Sequence, residues 1–219
     1  MVGTPGSNQH RMKIEDILLV LSSHFRLKRM RRFIEAFPLT DDTSILDVGG
    51  DPAFWADLPF NASITILNLS KPATYSDRCR LVIADGRLLP FPEGSFDIAS
   101  SNSVIEHLGT FQDQTTFANE IRRVASAIWV QTPARSFPVE PHLTGLFIHY
   151  LPKPLQKKLA RRFTVWGYIA TDYDRDIDIF LKETRLLTYR EMKELFPDCE
   201  IMRERWLFLT KSYIAVRRI

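Results

Sequence analysis

The chain has 219 residues, 45% of them hydrophobic and 25% charged, with a net charge of +3. That suits one globular domain with a sizeable core and argues against a nucleic-acid binder, whose net charge should be larger. Two cysteines, Cys79 and Cys199, form neither a metal pattern nor a disulfide framework, which fits a reducing, cytoplasmic setting.

Residues 1–10 are small and polar and read as a disordered tail. Ile14, Ile17, Leu18, Leu21 and Phe25, then Met30, Phe33, Ile34 and Phe37, recur at helical spacing and predict two helices over 11–38, ended by Pro38. Ser44–Gly49 reads as the first strand. It breaks at Gly49-Gly50, and Pro52 starts a short helix to about Asp57. Strand, glycine turn and helix start form the layout of a nucleotide-binding βα turn, although G-x-G-x-x-G and the Walker lysine motif are absent. Further strands are predicted at Ser63–Leu69, Cys79–Ala84, Phe96–Ser101 and Ala127–Gln131, with a helix at about Phe111–Ala125. Residues 134–187 break this rhythm with prolines, aromatics and basic side chains, and read as an inserted helical cap. Thr188 then N-caps a helix over Tyr189–Phe196 with Glu191 at the capping-box position. Two last strands, Glu200–Phe208 and Ser212–Arg217, are expected as a hairpin around Leu209–Lys211. Alternating strands and helices predict a parallel α/β sheet.

In such a sheet a ligand lies beyond the carboxyl ends of the strands. Those ends carry Asp47–Asp51, Asn68, Asp85-Gly86, Asn102-Ser103 and Thr132. The same residue types are also common in ordinary turns. The run Ala84-Asp85-Gly86-Arg87-Leu88-Leu89-Pro90-Phe91-Pro92-Glu93-Gly94-Ser95-Phe96-Asp97 is followed by Ser101-Asn102-Ser103-Val104-Ile105-Glu106-His107-Leu108. With the Ile45–Gly49 segment upstream, it resembles the class I S-adenosylmethionine-dependent methyltransferases, in the branch grouped as type 11. The likeness is strong over 43–132 and weak at the C-terminal strands.

The resemblance implies a doubly wound, Rossmann-like sheet of seven mostly parallel strands with an antiparallel last strand. One methyltransferase domain would span 11–219, with N-terminal helices and a substrate cap over 134–187. The implied cofactor is S-adenosylmethionine and the implied partner a small-molecule acceptor. Asp47, Gly49 and Gly50 fall in the motif that holds the methionine end. Asn68 stands where the family has an acidic residue on the ribose hydroxyls. Asp85 stands where the adenine amino group is met, and Gly86 where the backbone reaches the ring. Asn102 and Ser103 fall beneath the methionine chain. Two positions depart from the family: Gly50-Asp51-Pro52-Ala53 replaces a glycine-rich turn, and Asn68 is neutral.

Methyl transfer to a hydroxyl or amine needs a place for a proton. The candidates are His142, preferred because it opens the cap just past strand five, then Glu140 and His107. Glu140 and His142 can equally cap a helix beginning near Leu143, and Glu106-His107 can equally orient the strand-four loop. No metal site is expected. The aromatic, basic cap suits a bulky, partly apolar or anionic acceptor and leaves peripheral membrane contact open. The alternative function is a methyltransferase-fold binding module or partner subunit without turnover.

Overall fold

The structure, a computed structural model, describes residues 25, 27–56, 59, 61–71, 76–169 and 173–218. The expected N-terminal tail and the first N-terminal helix, up to residue 24, lie outside the described residues. The chain divides into two units, Met1–Leu39 and Thr40–Ile219. In the first, a helix over 27–36 (α1) matches the second expected helix, and the Phe33 and Phe37 rings meet edge to face at 5.0 Å.

The second unit is built on a seven-stranded sheet. Its strands are β1 (Ser44–Val48), β2 (Ser63–Asn68), β3 (Cys79–Ile83), β4 (Phe96–Asn102), β5 (Ala125–Pro133), β8 (Glu200–Trp206) and β9 (Leu209–Arg217). A two-stranded hairpin, β6 (Val139–Glu140) and β7 (Gly145–Leu146), lies between β5 and β8 in the chain. The sheet order is β3-β2-β1-β4-β5-β9-β8. β1 to β5 pair in parallel, β9 runs antiparallel to β5 and β8, and β8 therefore follows the direction of β1. This is the expected mostly parallel sheet with an antiparallel last strand. Strand order reverses between β1 and β4, which both pair directly.

The central strands are rich in apolar residues on both faces because both faces are covered. Ile45, Leu46 and Val48 of β1 and Ile128, Trp129 and Val130 of β5 are all buried. Helix α3 (Phe111–Val124) starts where Thr110 accepts from the Asp113 N–H, and it presents Phe117, Ile121 and Val124 to the sheet core. Helix α7 (Tyr189–Leu195) carries the expected Thr188–Glu191 capping box.

Three boundaries differ from the sequence reading. Helix α2 (Pro52–Trp55) is a single turn. β5 runs longer at both ends, because Phe96 pairs with Ala125 and Ser212 with Pro133. The last hairpin turns at Leu207-Phe208 and not at 209–211, since Leu209 pairs with Trp206. Leu207 takes a positive φ of 53°, and no glycine or asparagine marks the turn.

Residues 134–187 hold the β6–β7 hairpin and helices α4 (Lys153–Phe163), α5 (Val165–Ile169) and α6 (Tyr173–Glu183). Leu143, Ile148, Ala160, Ile177 and Leu181 form a hydrophobic cluster of their own there. The segment is stitched to the sheet at its root. Ala134 bridges Leu187, Arg135 N–H donates to Leu187 O at 3.0 Å, and Arg185 N–H donates to Glu106 O at 2.7 Å. No described helix is long and apolar enough to cross a membrane.

Candidate active site

A cavity of about 470 Å³ opens at the carboxyl ends of β1, β2 and β3, within the usual range for small-molecule sites. It is lined by Gly49, Gly50, Asp51, Asn68, Asp85 and Gly86, and by the apolar Leu67, Val104 and Leu108, among others. Five expected cofactor residues thus meet in one place. Asp47 lies directly behind Gly50: a Cβ on Gly50 would sit 1.8 Å from Asp47 Oδ2. Gly50 is therefore the residue type that lets this carboxylate share the turn. Gly49 has φ +77°, and a Cβ there would meet Val104 at 2.3 Å.

Asp47 is buried. Its Oδ2 accepts from the Trp55 indole N–H at 2.7 Å, and its Oδ1 has no hydrogen-bond partner among the described residues. Burial pushes its carboxyl up to about 7; the Trp55 hydrogen bond pulls the other way, and the Asp51 charge adds to the rise. An unpartnered buried carboxylate oxygen beside the cavity suits an ammonium.

Asn68 donates its side-chain amide to Gly50 O at 2.9 Å. Asp85 sits at the exposed side of the cavity and is gripped by Arg87, whose backbone N–H reaches Oδ1 at 2.9 Å and whose guanidinium reaches Oδ2 at 2.6 Å. The same guanidinium reaches Asp113 at 2.9 Å. The Arg87 hydrogen bonds hold Asp85 below the usual carboxylate range. Gly86 makes room inward, since a Cβ there would meet Phe117 and Val48, each at 2.9 Å. Asn102 and Ser103 do not line the cavity. Ser103 has φ 55° and donates to Gln131 Oε1 at 3.1 Å, and Asn102 ends β4. The start of α2 offers few donors to an anion, because Asp51 accepts from the Ala53 N–H at 2.9 Å and Pro52 has none.

On the other side of the 103–108 loop, His107, His142 and Phe180 line a second cavity of about 350 Å³. Glu140 uses both oxygens: Oε2 accepts from Leu143 N–H at 2.5 Å, and Oε1 is bonded to His142 Nδ1 at 2.7 Å. No helix begins at Leu143; the Glu140 oxygen closes the turn of the β6–β7 hairpin instead. Burial lowers the His142 pKa, but the hydrogen bond and charge of Glu140 and the charge of Glu106 outweigh it, leaving it raised. Burial and the His142 ring together bring His107 down to about 4. Glu106, fully buried, is the residue the sequence reading passed over as a candidate. Nothing in the local sequence signals this burial; Thr132 and Arg185, both distant in the chain, donate to its carboxylate and its backbone oxygen respectively. Burial pushes Glu106 up to about 7, and its backbone N–H and the His142 ring bring it only partly back.

Residues 48–127 match the family described as methyltransferase domain, type 11. The match runs from the end of β1 to the start of β5 and takes in the residues that line the first cavity. An uncharacterized methyltransferase of Mycolicibacterium gilvum (strain PYR-GCK) is 33% identical over 78 residues, which cover 32% of this chain and 31% of that relative. The match thus spans about a third of each chain. Beyond residues 48–127 the likeness is one of fold. A structure of PigF with S-adenosylhomocysteine aligns with TM-score 0.50 and 13% identity, over 93% of this chain and 67% of that one. The geranyl diphosphate C-methyltransferase of Streptomyces coelicolor A3(2), solved with S-adenosylhomocysteine, aligns with TM-score 0.52 and 12% identity, over 91% and 70%.

Proposed function

We propose that the chain binds S-adenosylmethionine in the β1–β3 cavity and methylates a small-molecule acceptor that approaches from the cap side, at oxygen or nitrogen. The observation that carries this reading is the convergence of Gly49, Gly50, Asn68, Asp85 and Gly86 on one cavity, with the unpartnered Asp47 Oδ1 behind it. The methyltransferase-domain match over 48–127 supports the same reading. Bound there, the cofactor supplies a methyl group on a sulfonium, whose S–CH₃ bond breaks with its electron pair returning to sulfur. The protein aligns the acceptor and excludes water. Asp47 meets the cofactor's ammonium, and Asp85 meets the adenine amino group.

On the acceptor side, His142 faces the second cavity with Glu140 fixing its Nδ1. With Nδ1 held by Glu140, its Nε2 is the nitrogen left to take a proton from an acceptor. A proton-handling cluster supports an O–H or N–H acceptor over carbon. The Streptomyces neighbour methylates carbon on the same fold, so the fold does not decide the atom. The basic and aromatic residues Arg135, Lys153 and Tyr150 border a further cavity of about 440 Å³, which suits an anionic, partly apolar acceptor. A second reading, a binding module without turnover, draws on Asp51, whose carboxylate occupies a donor at the start of α2.

Calorimetric titration with S-adenosylhomocysteine tests the first step, and no heat on a folded sample would remove both readings of the cavity. His142→Gln should then lower turnover by about 10²–10⁴-fold with cofactor affinity unchanged. Cofactor binding without methyl transfer to any member of a broad acceptor panel favours the binding module.

A further inference from the structure

We propose that Glu106, His107 and His142 together bind one divalent first-row transition-metal ion on the acceptor side of the sheet. One oxygen or nitrogen from each residue lies within 4.8 Å of the others. Glu106 is fully buried; its Oε2 accepts from Thr132 Oγ1 at 3.0 Å, while its Oε1 meets no donor in good hydrogen-bond geometry among the described residues, although the Ser103 hydroxyl and the Glu106 N–H also act on the carboxylate. A buried carboxylate oxygen left without a well-placed donor is costly unless something is meant to meet it.

His142 Nε2 stands 4.0 Å from that oxygen. This is too long for a hydrogen bond and about half an ångström wider than the ~3.4 Å between two ligands held tetrahedrally at about 2.1 Å from one ion, so a small side-chain movement closes the pair on an ion. Behind the ring, Glu140 Oε1 holds His142 Nδ1 at 2.7 Å. A carboxylate behind a metal-binding imidazole is the usual arrangement that fixes the tautomer and turns the other nitrogen's lone pair toward the ion. The His107 ring meets the His142 ring edge to face at 4.6 Å, so the two imidazoles face the same space.

Two imidazoles and one carboxylate favour Mn²⁺ to Zn²⁺ over Mg²⁺ or Ca²⁺, which prefer all-oxygen shells. The second cavity leaves positions open for an acceptor atom. The expectation of no metal rested on cysteine spacing. These ligands instead come from two loops far apart in the chain, after β4 and in the β6–β7 hairpin.

An ion at this place would occupy the His142 Nε2 lone pair, so that with the ion bound this nitrogen is a ligand and not the base. The ion would bind the acceptor's hydroxyl or amine and lower its pKa, and the proton would leave to solvent. That role rests on the methyl-transfer reading; the ion site itself does not. The test uses the whole chain, stripped with a chelator and dialysed, then titrated calorimetrically with Zn²⁺ and, separately, with Co²⁺ read by visible absorption. About one equivalent is expected, with affinity falling at least tenfold in His107→Gln, His142→Gln and Glu106→Gln, where outer-sphere partners alone cost 10–100-fold. Circular dichroism melting checks that each variant is folded, and the exposed His107→Gln keeps the test decisive if Glu106→Gln unfolds. No uptake by the wild type, or equal uptake by folded His107→Gln, overturns the proposal. Uptake in a protein that gives no heat with S-adenosylhomocysteine upholds the ion site and removes only its role in methyl transfer.

Discussion

The side-chain amide of Asn68, at the end of β2, donates to the carbonyl oxygen of Gly50 at 2.9 Å and so ties one strand end to the turn after its neighbour. The residue where the family places an acid is thus occupied in holding the glycine turn. A carboxylate in its place cannot donate, and it would set a negative charge against the Gly50 oxygen. Restoring the acid therefore carries a structural cost that the sequence alone hides. Asn68→Asp should weaken S-adenosylhomocysteine binding by about 5–100-fold, the value of one lost buried hydrogen bond. Calorimetry reads this directly. Tighter binding in the variant would mean that the ribose contact outweighs the tie to Gly50.

Asp47 should make stability depend on pH. Its carboxyl is raised from 3.8 to about 7 by burial, so the folded chain holds this proton more tightly than the unfolded one. The contribution is complete below pH 3.8 and is lost as pH rises through about 7. Asp47→Asn has no such proton, so its stability should gain on the wild type between pH 4 and pH 8, measured as urea midpoints. Parallel midpoint curves would show that Asp47 is ionised in the fold. The cofactor's ammonium favours the ionised form, so binding near pH 7 should also release protons, seen as heats that differ between buffers.

Arg87 acts on Asp85 from outside the cavity lining, with Asp113 holding its other side. Asp85→Ala should weaken S-adenosylhomocysteine binding by about 5–100-fold. Arg87→Ala should cost less, since it only loosens an exposed ion pair worth about 1 kcal/mol or less. Equal losses would place Arg87 on the ligand.

Gly50 and Gly94 separate crowding from backbone strain. A Cβ on Gly50 collides with Asp47, whereas Gly94, at φ +63°, has nothing within 4 Å of its Cβ position. Gly94→Ala should cost about 1–2 kcal/mol, the left-handed penalty alone. Gly50→Ala should cost more, and should abolish S-adenosylhomocysteine binding in whatever fraction remains folded. Thermal melts and titrations of the two variants make the comparison.

The sheet was legible in the sequence because its central strands are buried on both faces and so read as short apolar runs between turn residues. β1, β2 and β3 end within one residue of the expected positions. The cavity residues were legible for a related reason: they stand at strand ends, where the topology leaves them no other place. The cap's inner order was not. β6 and β7 are two residues each, and their turn uses Thr144 at positive φ, with Phe147 likewise just after β7, where glycine or asparagine would have announced the turns. The last hairpin hid for the same reason, turning on Leu207-Phe208. Glu106 was missed as a site residue because its importance lies in what packs over it. Arg185 from the cap root and Thr132 from β5 supply its backbone and side-chain partners, and neither is near it in sequence.

The pairing of Ala134 with Leu187 means that the polypeptide leaves the sheet and returns to it at one point. What lies between has its own apolar cluster. Such an excursion is a cassette: it can be exchanged for another of different length while the strands on either side keep their register. Selection, or an engineer, can thus rewrite this stretch as a single contiguous piece of gene, leaving the strands that line the first cavity as they stand.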